Sequence, residues 1–248
     1  MHSELQNAVE DLYRIFARYG LNPNMDGSPL YHDLSNWNRM LAAKPLRELT
    51  EDDLRIFYFK VMTTWGDVDD FRHFLPRIFE LLTDLATGSG WEEWVALDKL
   101  CYGKWHTWPA AEQAAVQKYL WAFWQVLLTE DDEAKWIDAL FEGYFAAIAN
   151  VYPAFDQMLQ LWAESDNQHA VRRLVDFVER NDRNVLKKRV LSEFDRSDEK
   201  GRVFFDWLLT DAILEKLTNA FFQYETQDFA ANLSHVIQLL EAARATRG

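Results

Sequence analysis

With 248 residues, 49% of them hydrophobic and 15% aromatic, the chain is long and apolar enough to bury a substantial core, which excludes disorder. Its nine glycines and six prolines fall almost entirely between helical patterns, which argues against a β-sandwich or a Gly-rich nucleotide fold. A formal charge of −14 disfavours general nucleic-acid or anionic-membrane binding and favours basic partners.

In chain order, Ser3 with Gln6 reads as a capping box. The helix it opens carries Leu5, Val9, Leu12, Ile15, Phe16 and Tyr19 as a stripe ending at Gly20. Residues 21–33 read as loop, and a short helix holds Trp37, Met40 and Leu41. Thr50 with Asp53 caps a further helix bearing Leu54, Phe57, Tyr58, Val61 and Met62. The stretch Thr64–Leu82 (TWGDVDDFRHFLPRIFELL) then places apolar residues at 68, 71, 75, 78 and 82, one broad helical stripe. Gly66 is suited to end the preceding helix, and Asp67, Asp69 or Asp70 to cap the new one. Trp65 is expected to be buried beside that turn. Pro76 lacks an N–H and crowds the Arg72 carbonyl, so a kink or restart is expected near Leu75.

Gly88-Ser89-Gly90 reads as a turn, followed by a helix over 91–101 and a loop from Gly103 to Pro109. In 110–128 apolar residues surround the helix, as in one packed on several sides. Thr129 with Asp132 caps a helix to about Asn150, and Pro153 opens another at a first-turn position. Helices near 166–180, 183–194, 201–223 and 227–245 complete the chain. No segment alternates as a strand does.

The fold class is therefore all-α, with about eleven or twelve helices in a single 1–248 domain. Helical pairs recur every 35–45 residues, which resembles HEAT and armadillo α-solenoids, so stacked antiparallel hairpins or an irregular bundle are expected. The Thr64–Leu82 stretch resembles a segment of a bacterial all-α family. That resemblance covers only this stretch and implies no activity.

One cluster has ligand-like chemistry: Asp67, Asp69, Asp70 and His73, with Arg72 among them. On a helix, Asp69 or Asp70 and His73 share a face, where they would be near enough to hold a cation. Acids at a helix start equally satisfy free N–H groups, and no second histidine stands at a metal-binding spacing, so capping is preferred and no metal is expected. Trp-x-x-Trp occurs at Trp91/Trp94, Trp105/Trp108 and Trp121/Trp124. Spacing of three suits core packing, but Trp105-His106-Thr107-Trp108 lies in a predicted loop and is expected to face solvent as a binding anchor. The acidic run Glu130, Asp131, Asp132 and Glu133 belongs to residues 101–165, which hold nine acids and three bases.

Arg172, Arg173, Arg180, Arg183, Lys187, Lys188 and Arg189 read as a solvated, salt-bridged surface, with phosphate or RNA contact opposed by the overall charge. His106, His169 and His235 are isolated. The lone Cys101 cannot form an intrachain disulfide, fits a reducing compartment, and is expected to be buried. No G-x-S-x-G, Walker loop or G-x-G-x-x-G occurs, so no cofactor is expected. The first residues lack the pattern of a signal peptide and no apolar run spans a membrane, which points to a cytoplasmic protein without a membrane partner.

The functional expectation is a protein binder presenting an acidic, aromatic face to a basic partner. An immunity-type neutraliser masking a basic toxin domain would be one form of it. Trp105, His106, Trp108, Glu130, Asp131 and Glu133 are its candidate contacts. The alternative is a metal-dependent enzyme or small-molecule binder centred on Asp67, Asp69, Asp70 and His73.

Overall fold

Leu5, Ala8, Val9, Leu12 and Phe16 recur at helical spacing, and in the computed structural model they are the buried face of α1 (Ser3–Phe16). The same logic runs along the chain through α2 (Leu34–Ala42), α3 (Glu51–Lys60), α4 (Val68–Leu82), α5 (Glu93–Tyr102) and α6 (Ala110–Thr129). It continues through α7 (Trp136–Val151), α8 (Phe155–Glu164), α9 (Gln168–Arg180), α10 (Glu199–Leu208), α11 (Asp211–Gln223) and α12 (Ala230–Ala245). The structure describes residues 3–83, 93–130, 136–191 and 199–246. Gly88-Ser89-Gly90, Trp91, Asp131, Asp132 and Glu133, and with them the expected Thr129–Asp132 cap, lie outside the described residues. Among the described residues there is no strand, only isolated bridges joining Trp65 to Gly27 and to Val61. The fold is all-α.

The chain divides into two compact units, Met1–Phe123 and Trp124–Gly248, with the division falling inside α6. In the first unit α1 packs chiefly on α4, and α3 packs on both α4 and α5. Its aromatic core joins Phe57 to Phe74 at 4.5 Å between ring centroids, Phe57 to Trp65 at 5.4 Å, and Phe79 to Tyr119 at 4.7 Å. In the second unit α12 packs on α9 and α11, and Trp162 gathers Trp124, Phe141, Phe145 and Phe177 around it.

Several boundaries differ from expectation, each for a local reason. α4 runs through Pro76 without restarting. The proline removes one backbone bond, while Phe71, Phe74, Leu75, Ile78, Phe79 and Leu82 are all buried on the same helix and hold it to the core. The expected helix over 201–223 is two helices, because Thr210 adopts an extended conformation (φ −70°, ψ 151°) and starts α11. The expected helix from 183 is a short π-helical turn, Arg183–Lys188, closed by Arg189 in the left-handed region (φ 57°). Pro153 precedes the first turn of α8 rather than entering it. Cys101 is exposed rather than buried.

Helix C-termini leave carbonyls without partners. Among the described residues, four of them are closed by a cation from another helix. Lys99 of α5 donates to the Phe59 and Val61 carbonyls at the end of α3, at 3.3 and 2.8 Å. Arg173 of α9 donates to the Leu127 and Glu130 carbonyls of α6, at 2.5 and 2.8 Å. Lys200 of α10 donates to the Ala149 carbonyl of α7 at 2.5 Å, and Lys216 of α11 to the Ser165 carbonyl that ends α8. Each positive charge meets the negative end of a helix dipole, so cations that look superficial in the sequence tie helices together. Arg173, only 2% exposed, thereby leaves the solvated surface expected of it.

Candidate functional site

The start of α4 organises the polar chemistry of the first unit. After α3 ends at Lys60, the chain turns through Val61–Trp65, with the amides of Thr63, Thr64 and Trp65 all donating to the Lys60 carbonyl. Trp65 is 2% exposed, as expected, and its indole N–H donates to the side-chain oxygen of buried Asn38 at 2.9 Å. Gly66 follows with φ 67°, a conformation a Cβ disfavours. Asp67 then caps α4: its Oδ1 accepts from the Asp69 and Asp70 amides at 2.8 and 3.0 Å, and the Asp70 carboxylate accepts from the Asp67 amide at 2.9 Å. This is a reciprocal capping box with aspartate in both places. Burial pushes the Asp70 carboxyl above the usual carboxylate range, against the Asp67 amide hydrogen bond that pulls it down.

The remaining candidates of this cluster point elsewhere. Asp69 pairs with Arg72 at 2.9 Å. His73 Nδ1 lies 2.8 Å from the Tyr19 carbonyl oxygen, so it acts as the N–H donor and the tautomer is set. Among the described residues no three His, Cys, Asp or Glu side chains are placed to share a metal ion. The stretch is a helix start built from acids.

Arg72 leads to a feature the sequence reading missed. Its guanidinium lies over the Trp108 ring at 4.4 Å and the Tyr19 ring at 5.2 Å. Beneath it is Glu112, whose side chain is fully buried. Glu112 Oε1 accepts from the Tyr19 hydroxyl at 2.8 Å, and Oε2 stands 3.6 Å from Arg72 Nε, within ion-pair range but beyond a hydrogen bond. Arg18 approaches Oε1 at 3.8 Å. Glu112 occupies the third position of α6, where a carboxylate often folds back onto the amide preceding the helix. Here that residue is Pro109, which has no N–H, so the carboxylate is left to bind Tyr19 and Arg72. Burial, reinforced by the bond to Glu112, pushes the Tyr19 hydroxyl up to about 12, which keeps it a proton donor at neutral pH. The cluster joins the chain after α1 to α4 and α6.

The loop tryptophans are a correction. Trp105 is 6% and Trp108 3% exposed, so neither is a solvent-facing anchor. A 3-10 turn over Trp105–Thr107, entered through Lys104 in the left-handed region (φ 52°), folds both inward. The Trp108 indole N–H donates to the Gly103 carbonyl at 2.9 Å, and its ring meets Phe16 edge-on at 5.9 Å. The receiving pocket comes from α1 and α4, far away in sequence, so no local pattern announces it. His106 stays exposed on that turn. Glu130 is half-buried at the end of α6, and Trp124 belongs to the core of the second unit.

The exposed aromatics lie elsewhere. On α5, Trp94 is 51% and Tyr102 60% exposed. With Asp98 and Cys101, also exposed, they stand at i, i+4, i+7 and i+8 and so share one face. Partial burial pushes the Asp98 carboxyl upward, against the pull of neighbouring Lys99. Among the described residues, no helix is long and apolar enough to cross a membrane. Compared with models of protein families, with curated proteins and with solved structures, the chain matches none.

Proposed function

We propose that this all-α chain is a protein-binding molecule that offers an acidic, aromatic face to a basic partner. The observation that carries the reading is the outer face of α5, where Trp94 and Tyr102 flank Asp98 and all three are exposed. Large aromatics half out in solvent forgo burial that a docked partner would supply, and aromatic side chains are enriched among residues dominating binding energy. The chain's charge of −14 would steer a basic partner toward it. Masking the basic surface of a toxin domain, as immunity-type proteins do, is one biological form of this activity. The bacterial all-α family that the Thr64–Leu82 stretch resembles would be its setting. The metal-dependent alternative draws no support from Asp67, Asp69, Asp70 and His73, which are engaged in capping, an ion pair and a carbonyl contact.

The test is kinetic, on a partner recovered by pull-down from native cells. Trp94→Ala and Tyr102→Ala remove exposed rings, so the melting temperature should stay near wild type while the dissociation rate rises. Raising salt should slow association more than it speeds dissociation, since exposed charges act over about 8–10 Å at physiological ionic strength. Normal binding by both variants, with salt-independent association, would dismiss this face.

A further inference from the structure

In the second unit, most of the described cations are engaged. Arg172 pairs with Asp228, Arg180 with Asp176 and Arg244 with Asp211, while Arg173, Lys200 and Lys216 close helix C-termini. The π-helical turn Arg183–Lys188 breaks this rule. Arg183, Lys187 and Lys188 are exposed and, among the described residues, have no ion pair or side-chain hydrogen bond. Arg202 on α10 is likewise exposed and unpaired among the described residues. Asp182, next to the turn, directs its carboxylate to the Arg183 backbone N–H at 2.5 Å, so it caps the turn instead of neutralising a side chain.

The turn is held in shape by its surroundings. The Arg189 guanidinium lies over the Phe205 ring at 4.5 Å, and the Val190 amide returns to the Asn184 carbonyl at 3.0 Å. A Cβ on Gly201 would come within 2.4 Å of the Arg189 carbonyl oxygen, so only glycine lets α10 approach this closely, and Arg202 is the next residue along α10. In a π-helix the bonds reach five residues rather than four, so i, i+4 and i+5 fall on one side. Arg183, Lys187 and Lys188 therefore stand on one side of the turn, where an α-helix would turn Lys188 away from Arg183. Three like charges on one side of the turn, with no counter-charge paired to them among the described residues, repel one another, and a compact multivalent anion would relieve that.

We propose that the Arg183–Lys188 turn, with Arg202 beside it, is a binding site for the phosphate group of a multiply charged anion. A phosphate offers three acceptor oxygens and up to two negative charges in the space of one group, which matches clustered cations better than carboxylates spread along a chain. The backbone amides of Arg189 and Val190 are already bonded to the Asn184 carbonyl, so recognition falls to the side chains.

The probe is inorganic tripolyphosphate, titrated calorimetrically into the full chain at physiological salt, where contact with a lone exposed charge is largely screened. Saturable binding is expected, weakened about ten-fold or more in Lys187→Gln/Lys188→Gln. It should be retained in Lys187→Arg/Lys188→Arg and in Lys104→Gln, which removes an exposed lysine of the first unit. All three positions are exposed, and a thermal melt checks each variant. Vesicles carrying a phosphoinositide form the second arm. Binding that needs the same lysines assigns the phosphate to a lipid headgroup, and binding of tripolyphosphate alone assigns it to a soluble ligand. No saturable binding, an equal loss in Lys104→Gln, no loss in the double Gln variant, or tighter binding of a poly-glutamate peptide than of tripolyphosphate would each overturn the proposal. The last result would point to an acidic protein segment instead.

Discussion

Helices α3 and α4 both open on a reciprocal capping box, Thr50 with Asp53 and Asp67 with Asp70, yet the two box carboxylates are pulled in opposite directions. Asp53 sits at the surface, where Lys44 reaches it at 2.6 Å. That hydrogen bond, together with the Thr50 amide, brings its carboxyl down to about 2. Asp70 is 6% exposed with Asp67 and Asp69 beside it, and burial raises it. The motif is the same in sequence and satisfies the same orphan N–H groups. The first box gains from its charge, whereas the second carries its charge at a cost and is held in place by its neighbours.

The largest effect that tests this contrast is Trp65→Ala. Trp65 is buried against Phe57 and bonded to Asn38, and it anchors the turn that presents the α4 box. Its loss should cost about 3–5 kcal/mol in a denaturant melt. A melt within a degree of wild type would show that the α4 start does not depend on this packing.

Next comes Gly66→Ala. A φ of 67° disfavours any Cβ, and one placed here would lie 2.9 Å from Asp70 Oδ2, so the box would have to shift as well. About 1–2 kcal/mol is expected from the backbone alone, read in the same melt. No equivalent glycine precedes α3, so an unperturbed melt would mean that the second box tolerates displacement.

Asparagine in place of each aspartate sharpens the comparison further. Asp53→Asn removes the charge that Lys44 and the helix dipole favour and should destabilise by about 0.5–1 kcal/mol. Asp70→Asn keeps an acceptor for the Asp67 amide while removing a buried charge, so it should fall within about 0.5 kcal/mol of wild type at neutral pH, or slightly above it. The reverse ranking would break the contrast.

The smallest effect is the pH profile. Because Asp53 is depressed in the fold, its contribution is present above its unfolded value and is lost as pH falls toward about 2. Because Asp70 is raised, its contribution is present below the ordinary aspartate range and is lost as pH rises through its folded value. Carboxyl-carbon NMR should therefore show Asp70 titrating above Asp53, with Lys44→Gln moving only Asp53. Coincident titrations would mean that the two environments do not differ.

Much of this was legible in the chain. The Thr50–Asp53 box, an acidic cap of α4 among Asp67, Asp69 and Asp70, the burial of Trp65 and the all-round apolar α6 follow from patterns within one or two helical turns, over which sequence spacing is spatial distance. Preferring capping over a metal at Asp67–His73 rested on the same local logic. The Trp105–Trp108 loop misled because solvent exposure is not a local property. A loop tryptophan is buried when distant helices leave room for it, and Phe16, Phe71 and Arg72 make that room.

By itself, then, the sequence determined the helical class, the positions of most helices and the residues that start them, because periodicity and capping act through neighbours along the chain. Tertiary structure alone decided which charges are interior and which are left over. Glu112 is buried because Pro109 offers it no amide and Tyr19 and Arg72 arrive from other parts of the fold. Arg173, Lys99, Lys200 and Lys216 turn inward because helix ends from elsewhere present unmet carbonyls. Arg183, Lys187 and Lys188 carry the same kind of charge, but no helix end or carboxylate among the described residues reaches them. Their composition could not distinguish them from Arg173, since a charge is paired or left exposed according to what the folded chain brings within a few ångströms of it.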